Sequence, residues 1–494
     1  MATATAPPQK TFLGQPRALA TLFFTEMWER FSYYGMRAIL ALYLVAPPNG
    51  VTPPGGGLGM SASGAVAVYG TYSSLVYVLP LAGGWVSDRI TGPRRSVLIG
   101  GIVIAIGHFM MAVPINGLFW AGLLVIAVGT GLLKPCVSAM VGDLYAPNDT
   151  RRDGGFSIFY MGINLGAFLA PLIVGTIGQE VSWHLAFALA GIGMLLGIGQ
   201  YVLGWKGLGD VGKAVPKPAT AKEKARAGLA LVGALAFLAL VILGDTIFFG
   251  FDIEDMTFIL MIVVVIIAVA YFVRIFRTPG LTATDKPRLR AFLLLFLAAV
   301  IFWGIDDQSG STLNTFAVKY TDTDIAGWIM PVSWLQSINP IFIIIFAPIF
   351  GFIWTKLADR APSTPMKFAI ALFGVALSFM IMIPPALAAQ NGQQSAIWWL
   401  VAVYLVQTWS ELLLSPNGLS VTTKLAPAGL LSQMLALWFL AAAVGDAVFG
   451  QIGRLIDILG FGGYFAVVGI GTAVMAGLFL LVVPRIRRLM EGVH

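Results

Sequence analysis

Charge is scarce in this sequence. Of its 494 residues only 11% are charged, whereas 58% are hydrophobic. Soluble globular domains are about a quarter charged and a little under half apolar, so this composition excludes a water-soluble enzyme and a disordered chain. Long apolar runs separated by short polar segments are typical of a helical protein that crosses the bilayer many times. The first prediction is therefore an all-α polytopic membrane protein.

Cysteine and the common enzyme motifs are also missing. Cys136 is the single cysteine, so an intrachain disulfide is excluded. The sequence contains no HExxH, no phosphate-binding glycine loop followed by Lys and Ser/Thr, no GxSxG and no paired-cysteine metal site. Residues 1–16 are polar and proline-rich and lack the apolar stretch of a removable signal peptide. We therefore expect no enzymatic activity and no metal site, and we expect the first helix to direct membrane insertion.

The basic residues indicate the orientation of the chain in the membrane. The net charge of +7 comes from 30 Lys and Arg against 23 Asp and Glu. We place 25 of the 30 basic residues in loops on one side of the membrane. Three fall inside helices (Arg30, Arg37 and Lys134) and two fall on the opposite side (Lys319 and Arg454). Because Lys and Arg accumulate in cytoplasmic loops, this pattern predicts cytoplasmic termini, and it needs no nucleic-acid partner to explain it.

The apolar segments predict fourteen membrane-spanning helices. Each is long enough to cross about 30 Å of hydrocarbon, and they lie at residues 18–46, 62–88, 95–114, 117–144, 153–178, 183–205, 227–250, 255–276, 288–318, 326–357, 366–388, 396–424, 430–456 and 463–487. The predicted domains are a six-helix bundle (12–205), a cytoplasmic linker (206–226), an inserted helix pair (227–276) and a second six-helix bundle (277–490). The linker is rich in Pro, Gly and Lys and is expected to be solvated and mobile.

A weak internal repeat favours two related bundles. GGWVSDR (83–89) ends the second helix, and FIWTKLADR (352–360) ends the second helix of the later six. Repeats of this kind are typical of transporters that bind their substrate at the interface of the repeats. The pattern therefore favours two six-helix bundles with a central cavity.

Four charged residues share one face of the first predicted helix. At about 100° per residue, Glu26, Glu29 and Arg30 lie on the same side. Tyr33 and Arg37 fall on that side as well. Ionised side chains at membrane depth face a bundle interior or a water-filled cavity and mark functional sites. A structural ion-pair cluster between packed helices is the alternative interpretation.

Other predicted helices contribute Lys134, Asp306, Asp307 and Glu411. With the first helix, these make five buried carboxyl groups against three basic groups, so two negative charges are in surplus. Crowding and desolvation favour the protonated form of a carboxyl group. The cluster is therefore expected to take up protons, and its separate cationic and acidic parts would suit a zwitterion. Polar and aromatic residues accompany the charges: Tyr33, Tyr34, Tyr69, Tyr72, Tyr77, Asn164, Trp303, Gln308, Asn314, Asn339 and Trp438.

Several motifs resemble one transporter family along nearly the whole chain. EMWERFSYYGMR (26–37) resembles the ExxER signature of the proton-dependent oligopeptide transporters, a branch of the major facilitator superfamily. FYMGINLGAFLAP (159–171) is similar to the fifth-helix signature of that family, and GGWVSDRITGPRR is similar to the superfamily's loop between helices two and three. GLLKP, FWGIDDQSGS and ELLLSPNGLS resemble the fourth, seventh and tenth helices, in that order.

The resemblance implies a bacterial importer of di- and tripeptides in the cell inner membrane. Such a protein uses the proton gradient and alternating access of two six-helix bundles. It would need no cofactor, and it would also accept peptide-like drugs and act as a monomer. The inserted helix pair is typical of bacterial members.

The resemblance also implies roles for individual residues. Proton coupling would rest on four of them: Glu26, Glu29, Arg30 and Asp307. Substrate binding would rest on ten: Arg37, Lys134, Glu411, Tyr33, Tyr34, Tyr77, Asn164, Trp303, Asn339 and Trp438. Arg37 and Lys134 would hold the peptide carboxylate, and Glu411 would receive the amine with help from Asn164 and Asn339. Asp307 would pair with Arg37 in a gate that protonation opens, and Lys134 would form a corresponding link with Glu411.

Two departures from the family pattern bear on coupling. Many bacterial relatives have Glu where this chain has Asp307, which is one methylene shorter, and animal relatives have a histidine where this chain has Gly70. Coupling is therefore expected to rest on carboxyl groups.

Two alternative functions stay open at this point: transport of another small anion such as nitrate, and nutrient sensing without transport. The amine acceptor Glu411 favours peptides over a simple anion.

Overall fold

The structure is a computed structural model that describes residues 11–50, 56–146, 149–248 and 253–490. Within these ranges the chain is built almost entirely of helices. The sixteen α-helices of the described residues are α1 (Ala18–Val45), α2 (Ala62–Val86), α3 (Pro93–Met111), α4 (Asn116–Asp143), α5 (Arg152–Glu180), α6 (Trp183–Gly204), α7 (Ala221–Phe248), α8 (Ile253–Phe276), α9 (Asp285–Asp306), α10 (Thr312–Tyr320), α11 (Ile338–Leu357), α12 (Thr364–Ile381), α13 (Ile383–Gln390), α14 (Trp398–Leu425), α15 (Leu431–Ile452) and α16 (Leu455–Leu489).

Fourteen of these helices have 18 residues or more, which matches the predicted number of membrane spans. Across the described ranges, twelve segments are both long and apolar enough to cross a membrane. The other two long helices are α1 and α14, each of 28 residues. Both carry the polar residues assigned to the functional site, and α1 alone contains four charged residues. The end of the predicted helix 227–250, at residues 249–250, lies outside the described residues.

Short strands tie loops together at a few points. Three pairs of two-residue strands occur among the described residues: β1 (Thr11–Phe12) with β2 (Gln15–Pro16), β3 (Thr321–Asp322) with β6 (Ser395–Ala396), and β4 (Asp324–Ile325) with β5 (Trp328–Ile329). The β3–β6 pair is parallel and the other two are antiparallel.

The predicted helix 326–357 is wrong over its first twelve residues. The strands β4 and β5 form a hairpin there, with Ala326 and Gly327 at positive φ in the turn. Residues 332–337 form a 3₁₀ turn, and α11 begins only at Ile338. A two-residue turn with positive φ matches the twist of a hairpin, and Pro331 cannot donate to a helical hydrogen bond. Because Trp328 and Ile329 are apolar although they are exposed, the sequence pattern predicted an apolar helix in place of this hairpin.

Two other predicted helices are interrupted. The segment predicted at 288–318 is divided by a 3₁₀ turn at Asp307–Gly310, between α9 and α10. The segment predicted at 366–388 breaks at Met382, just before Pro384 and Pro385, because the two prolines have no N–H group to continue the helical hydrogen bonds of α12.

Two compact units make up the chain, and both contain parts of α1, α2 and α5. Unit 1 comprises Met1–Met36, Leu79–Ala170 and His184–Arg226. Unit 2 comprises Arg37–Val78, Pro171–Trp183 and Ala227–His494.

In unit 1, the linker after α6 is bonded to the loop between α2 and α3. The buried Arg94 guanidinium donates to the carbonyl oxygens of Gly209 (2.7 Å) and Val211 (2.7 and 3.0 Å). Two backbone bonds of 2.8–2.9 Å join Lys217 and Ala219 to the same loop. The linker was expected to be mobile from its composition, but these bonds fix its path over residues 209–219.

In unit 2, glycine contacts bring α15 close to two other helices. A Cβ added at Gly304 of α9 would lie 2.8 Å from the carbonyl oxygen of Gly445. A Cβ at Gly70 of α2 would clash with the carbonyl oxygen of Asp446, and one at Gly450 would lie 3.2 Å from the Gly70 Cα. Small residues permit such close backbone approach between membrane helices. As a result, the middle of α15 lies directly against both α9 and α2.

Candidate functional site

The charged residues of α1 in unit 1 form a buried ion-pair cluster. Arg30 Nε lies 3.2 Å from Glu26 Oε1 and also bonds to Glu29 Oε2. All three side chains are at most 6% exposed. The Arg30 guanidinium lies 5.2 Å from the centroid of the Tyr33 ring. The helix periodicity thus placed these residues correctly on one face.

Each member of this cluster keeps a polar atom without a partner. Within the described part of the chain, Glu26 Oε2, Glu29 Oε1 and Arg30 Nη2 are buried and make no hydrogen bond. Lys134 of α4 is half-buried and close enough to Glu26 to interact with it electrostatically. The cluster therefore combines two carboxyl groups with two basic groups, and its charge balances when all four are ionised.

Helix α5 packs directly on this cluster through its glycines. A Cβ at Gly166 would lie 3.0 Å from the Arg30 Cβ and 3.0 Å from the Phe31 nitrogen, and it would clash with the Met27 carbonyl oxygen. Asn164, which is buried on the same helix, donates 3.0 Å to the Tyr160 carbonyl oxygen. The FYMGINLGAFLAP segment therefore supports the ion-pair cluster from one side.

We expect Gly166→Ala to destabilise the protein by about 1–3 kcal/mol, the usual cost of an added methyl group that forces backbone displacement. The midpoint of thermal unfolding in detergent would fall accordingly. Gly199→Ala in α6 is the matched control, since nothing lies within 4 Å of its added Cβ, and it should keep or raise the midpoint because alanine favours helix. Equal midpoints for the two variants would show that α5 does not depend on this close contact.

In unit 2, Arg37 forms the predicted ion pair with Asp307. Arg37 Nη2 lies 2.9 Å from Asp307 Oδ1 and 3.2 Å from Ser309 Oγ. Arg37 Nε donates to the Tyr69 hydroxyl, and the guanidinium lies 6.0 Å from the Tyr69 ring centroid. The two side chains are 11% and 8% exposed. The shorter aspartate therefore reaches the arginine, and Asp307 rather than Asp306 makes the pair.

The break between α9 and α10 presents Asp307 to Arg37. In the 3₁₀ turn the Ser309 carbonyl oxygen accepts from Gln336 Nε2 (2.5 Å) and from the Tyr404 hydroxyl (3.3 Å). The Gln308 Oε1 atom accepts from the Tyr464 hydroxyl at 2.6 Å. Gln336 and Tyr404 thus satisfy a backbone carbonyl group at the break in the helix, as broken membrane helices require. Tyr464 bonds to the Gln308 side chain in the same turn.

A second polar site in unit 2 joins α11 and α14. Asn339 Nδ2 donates to Glu411 Oε2 at 3.0 Å and to Thr408 Oγ1 at 3.1 Å. Glu411 and Asn339 are both half-buried. The predicted association of Asn339 with Glu411 is therefore present. Asn164 and Lys134 belong to unit 1, so their predicted association with Glu411 stays a prediction.

The predicted aromatic residues have different surroundings. Tyr33 is buried and Tyr34 half-buried in unit 1, with ring centroids 5.1 Å apart. Tyr77 and Trp303 are half-buried in unit 2. Trp438 is 3% exposed, with its ring 6.1 Å from that of Phe368 and directly against Gly418. The substrate-binding role expected of these residues stays a prediction.

Sequence reasoning missed one buried acid, Asp446 of α15. It is 4% exposed and lines a small cavity together with Asp307, Tyr69 and Gln308. It is the only acidic residue in the apolar run LALWFLAAAVGDAVFG, and this isolated position could have identified it. Counting it, unit 2 holds four carboxyl groups near the single guanidinium of Arg37: Asp306, Asp307, Glu411 and Asp446.

Comparison with known proteins assigns the chain to a family. The sequence pattern of the POT family matches residues 94–461. An uncharacterized transporter of Bacillus subtilis, YclF, is 45% identical over 98% of this chain and 97% of its own length. A di-/tripeptide transporter of Lactococcus lactis subsp. cremoris is 41% identical over 98% of this chain and 99% of its own. This chain belongs to the POT family.

Solved POT structures confirm the predicted fold class. The crystal structure of a peptide transporter POT in complex with sulfate is 44% identical, covers 98% of both chains and superposes with a TM-score of 0.91. The predicted major facilitator fold with an inserted helix pair is thus confirmed, as is the POT family resemblance. The ExxER segment precedes the residues that the family pattern matches, but the two relatives cover nearly the whole chain. POT family members are transporters.

Proposed function

We propose that this POT family member imports di- and tripeptides together with protons by alternating access. The observation that carries the proposal is the pairing of two sites of opposite charge within unit 2. One is the Arg37 guanidinium, and the other is Glu411 with Asn339. A zwitterionic peptide offers a carboxylate for the first and an ammonium group for the second, and these groups are common to all small peptides.

The chemistry of the two sites suits the two ends of a peptide. A guanidinium binds carboxylates through a planar fork of N–H donors, so Arg37 can exchange Asp307 for the peptide carboxylate. Glu411 accepts the ammonium group while Asn339 fixes one of its oxygens. Half-buried aromatic residues of unit 2 would adapt to varied side chains. The similarity to a di-/tripeptide transporter supports this substrate class.

Proton coupling is proposed to use the carboxyl groups that pair with arginine. In unit 1 these are Glu26 and Glu29 with Arg30, and in unit 2 Asp307 with Arg37. Protonation of a buried carboxylate removes the charge that holds its arginine. Breaking one such ion pair is enough to shift the equilibrium between two conformations whose free energies differ by a few kcal/mol. No resident cofactor is needed, because the proton gradient supplies the energy.

We propose an orientation in which the Arg37–Asp307 pair lies toward the outer face. We propose cytoplasmic termini in the cell inner membrane, supported by the clustering of Lys and Arg in loops on one side. On the opposite side, Thr176 Oγ1 accepts from Trp334 Nε1 (2.8 Å) and Gln179 Nε2 donates to Ser333 Oγ (2.7 Å). These bonds would have to break for peptide to enter from outside. We further propose that one chain suffices for transport.

Uptake of labelled dialanine into proteoliposomes tests the proposal. An inside-negative potential and an inward proton gradient are imposed, and free alanine, a dipeptide, a tripeptide, a tetrapeptide and nitrate are tested as competitors. We expect uptake that depends on the gradient, is abolished by a protonophore and is blocked by di- and tripeptides only. Absence of uptake by folded protein, or competition by nitrate alone, would overturn the substrate assignment.

A further inference from the structure

Asp446 lies where its carboxyl group is neither solvated nor paired with a base. It lies in the second half of α15 and is 4% exposed. Its Oδ2 atom makes no hydrogen bond within the described ranges of the chain. An unpaired ionised carboxylate at this depth is far more costly than a neutral one.

Close helix packing brings Asp446 to Asp307. Gly304 of α9 and Gly445 of α15 are in direct backbone contact, and Asp307 follows Gly304 by one helical turn. Both aspartates line one cavity of about 10 Å³ together with the Tyr69 side chain. Asp307 Oδ2 also has no partner among the described residues, since Arg37 bonds to Oδ1. Each aspartate therefore has one oxygen without a partner among the described residues, and both residues line the same small cavity.

The neighbouring charges do not neutralise a second carboxylate. The groups that line the cavity or interact with Asp446 or Asp307 come from four segments: Arg37 of α1, Tyr69 and Ser73 of α2, Asp306 at the end of α9 with Asp307 just after it, and Glu411 of α14. On α8 the acidic groups Glu254 and Asp255 belong to the first turn, where the Glu254 carbonyl oxygen accepts from Arg454. Arg37 is thus the one cation of this cluster within the described chain, and it is bonded to Asp307.

We propose that Asp446 and Asp307 form a carboxyl–carboxylate pair that holds one proton while Arg37 is bound to Asp307, and that this pair is a proton-binding site of the transport cycle. Two carboxyl groups that share one poorly solvated site retain a proton between them. The first part of the proposal, the shared proton, is independent of the function proposed above. The second part, the role of the pair in the transport cycle, rests on that function.

The proton balance of the step is simple. In the proposed resting state, Asp446 carries the proton and Asp307 carries the charge that pairs with Arg37. A second proton arriving from water forms an O–H bond on Asp307 and neutralises it, so the Arg37 N–H···O⁻ pair breaks. Arg37 can then bind the peptide carboxylate, and loss of that proton on the other side restores the pair.

The cavity suits a proton better than a metal ion. A volume of about 10 Å³ is at the lower limit for one water molecule, which could bridge the two aspartates but leaves no room for a hydrated cation. In the part of the chain that the structure describes, no group of three or more His, Cys, Asp or Glu side chains could hold a metal ion.

Infrared spectroscopy of protein labelled with ¹³C-aspartate tests the shared proton without any peptide. The wild type should show the C=O band of a protonated aspartate at neutral pH, and Asp446→Asn should lose intensity in that band. Asp210→Asn is the control, because this aspartate is 96% exposed, and it should leave the band unchanged. Asp306→Asn accounts for any contribution of the adjacent buried acid.

A second variant and a transport assay complete the test. Asp446→Glu keeps a titratable group and should also lose the aspartate band, so it serves if Asp446→Asn does not fold. In proteoliposomes, Asp446→Asn should retain peptide counterflow, lower gradient-driven accumulation by at least about tenfold and shift the pH profile of counterflow.

The outcomes separate this inference from the proposed function. An unchanged aspartate band in both Asp446 variants would overturn the shared proton. A lost band with wild-type accumulation and an unchanged pH profile would overturn its part in the cycle. If the wild type shows the band but transports no peptide, the proposed function fails while the proton-binding pair stands.

Discussion

Glu411→Gln should abolish dialanine uptake while leaving the protein folded. Glutamine has the same shape, and its side-chain oxygen can still accept from Asn339 Nδ2, which donates to Glu411 Oε2 at 3.0 Å. What is lost is the negative charge that receives the peptide ammonium group. Hydrogen bonds to charged groups contribute about 1.5–3 kcal/mol, so binding should weaken at least about tenfold. Uptake and counterflow in proteoliposomes measure the loss.

The control for this variant is Glu223→Gln, which removes a glutamate whose side chain is 40% exposed at the start of α7. It should transport like the wild type. Size-exclusion chromatography and the thermal midpoint show whether each variant is folded. Normal uptake by Glu411→Gln would refute the assignment of Glu411 to the peptide amine.

Glu29→Gln should uncouple peptide movement from the proton gradient. Glu29 is 1% exposed and bonded to Arg30, and its second oxygen is free within the described structure. Glutamine keeps a hydrogen-bonding oxygen for Arg30 but cannot take up a proton. We expect accumulation driven by the gradient to fall to the level seen without a gradient, whereas counterflow exchange, which needs no net proton movement, continues.

Counterflow in the same vesicles is the internal control for Glu29→Gln. If counterflow is also lost, the residue is needed for folding or peptide binding and not for coupling alone. If accumulation survives with its normal pH dependence, the proton site lies elsewhere, and the Asp307–Asp446 pair becomes the first candidate.

The fourteen long helices could be predicted because an apolar run of membrane length has few alternatives to a helix. Charged residues inside such runs predicted a buried functional site, whereas the Arg37–Asp307 pair was implied by the family resemblance. The boundaries at residues 326–337 were not predictable in the same way. There the exposed Trp328 and Ile329 extend the apolar pattern, and only the Ala326–Gly327 turn reveals the hairpin.

Asp446 shows what one-dimensional patterns cannot provide. A single acid in an apolar helix has no periodic partner within its own segment, and its neighbours Asp307 and Tyr69 lie more than a hundred residues earlier in the chain. The linker shows the same limit. Its composition predicts mobility, but the carbonyl oxygens of Gly209 and Val211 are fixed by Arg94, more than a hundred residues away.

The contact between Gly70 and α15 restricts how this protein can diverge in evolution. A side chain at position 70 would occupy the space now held by the backbone of Asp446 and Gly450. A homologue that gains such a side chain must displace α15, which would move residue 446 away from Asp307. Positions 70, 446 and 450 should therefore be inherited as a set, so that a histidine or other large residue at 70 and an acid at 446 are mutually exclusive solutions within one fold.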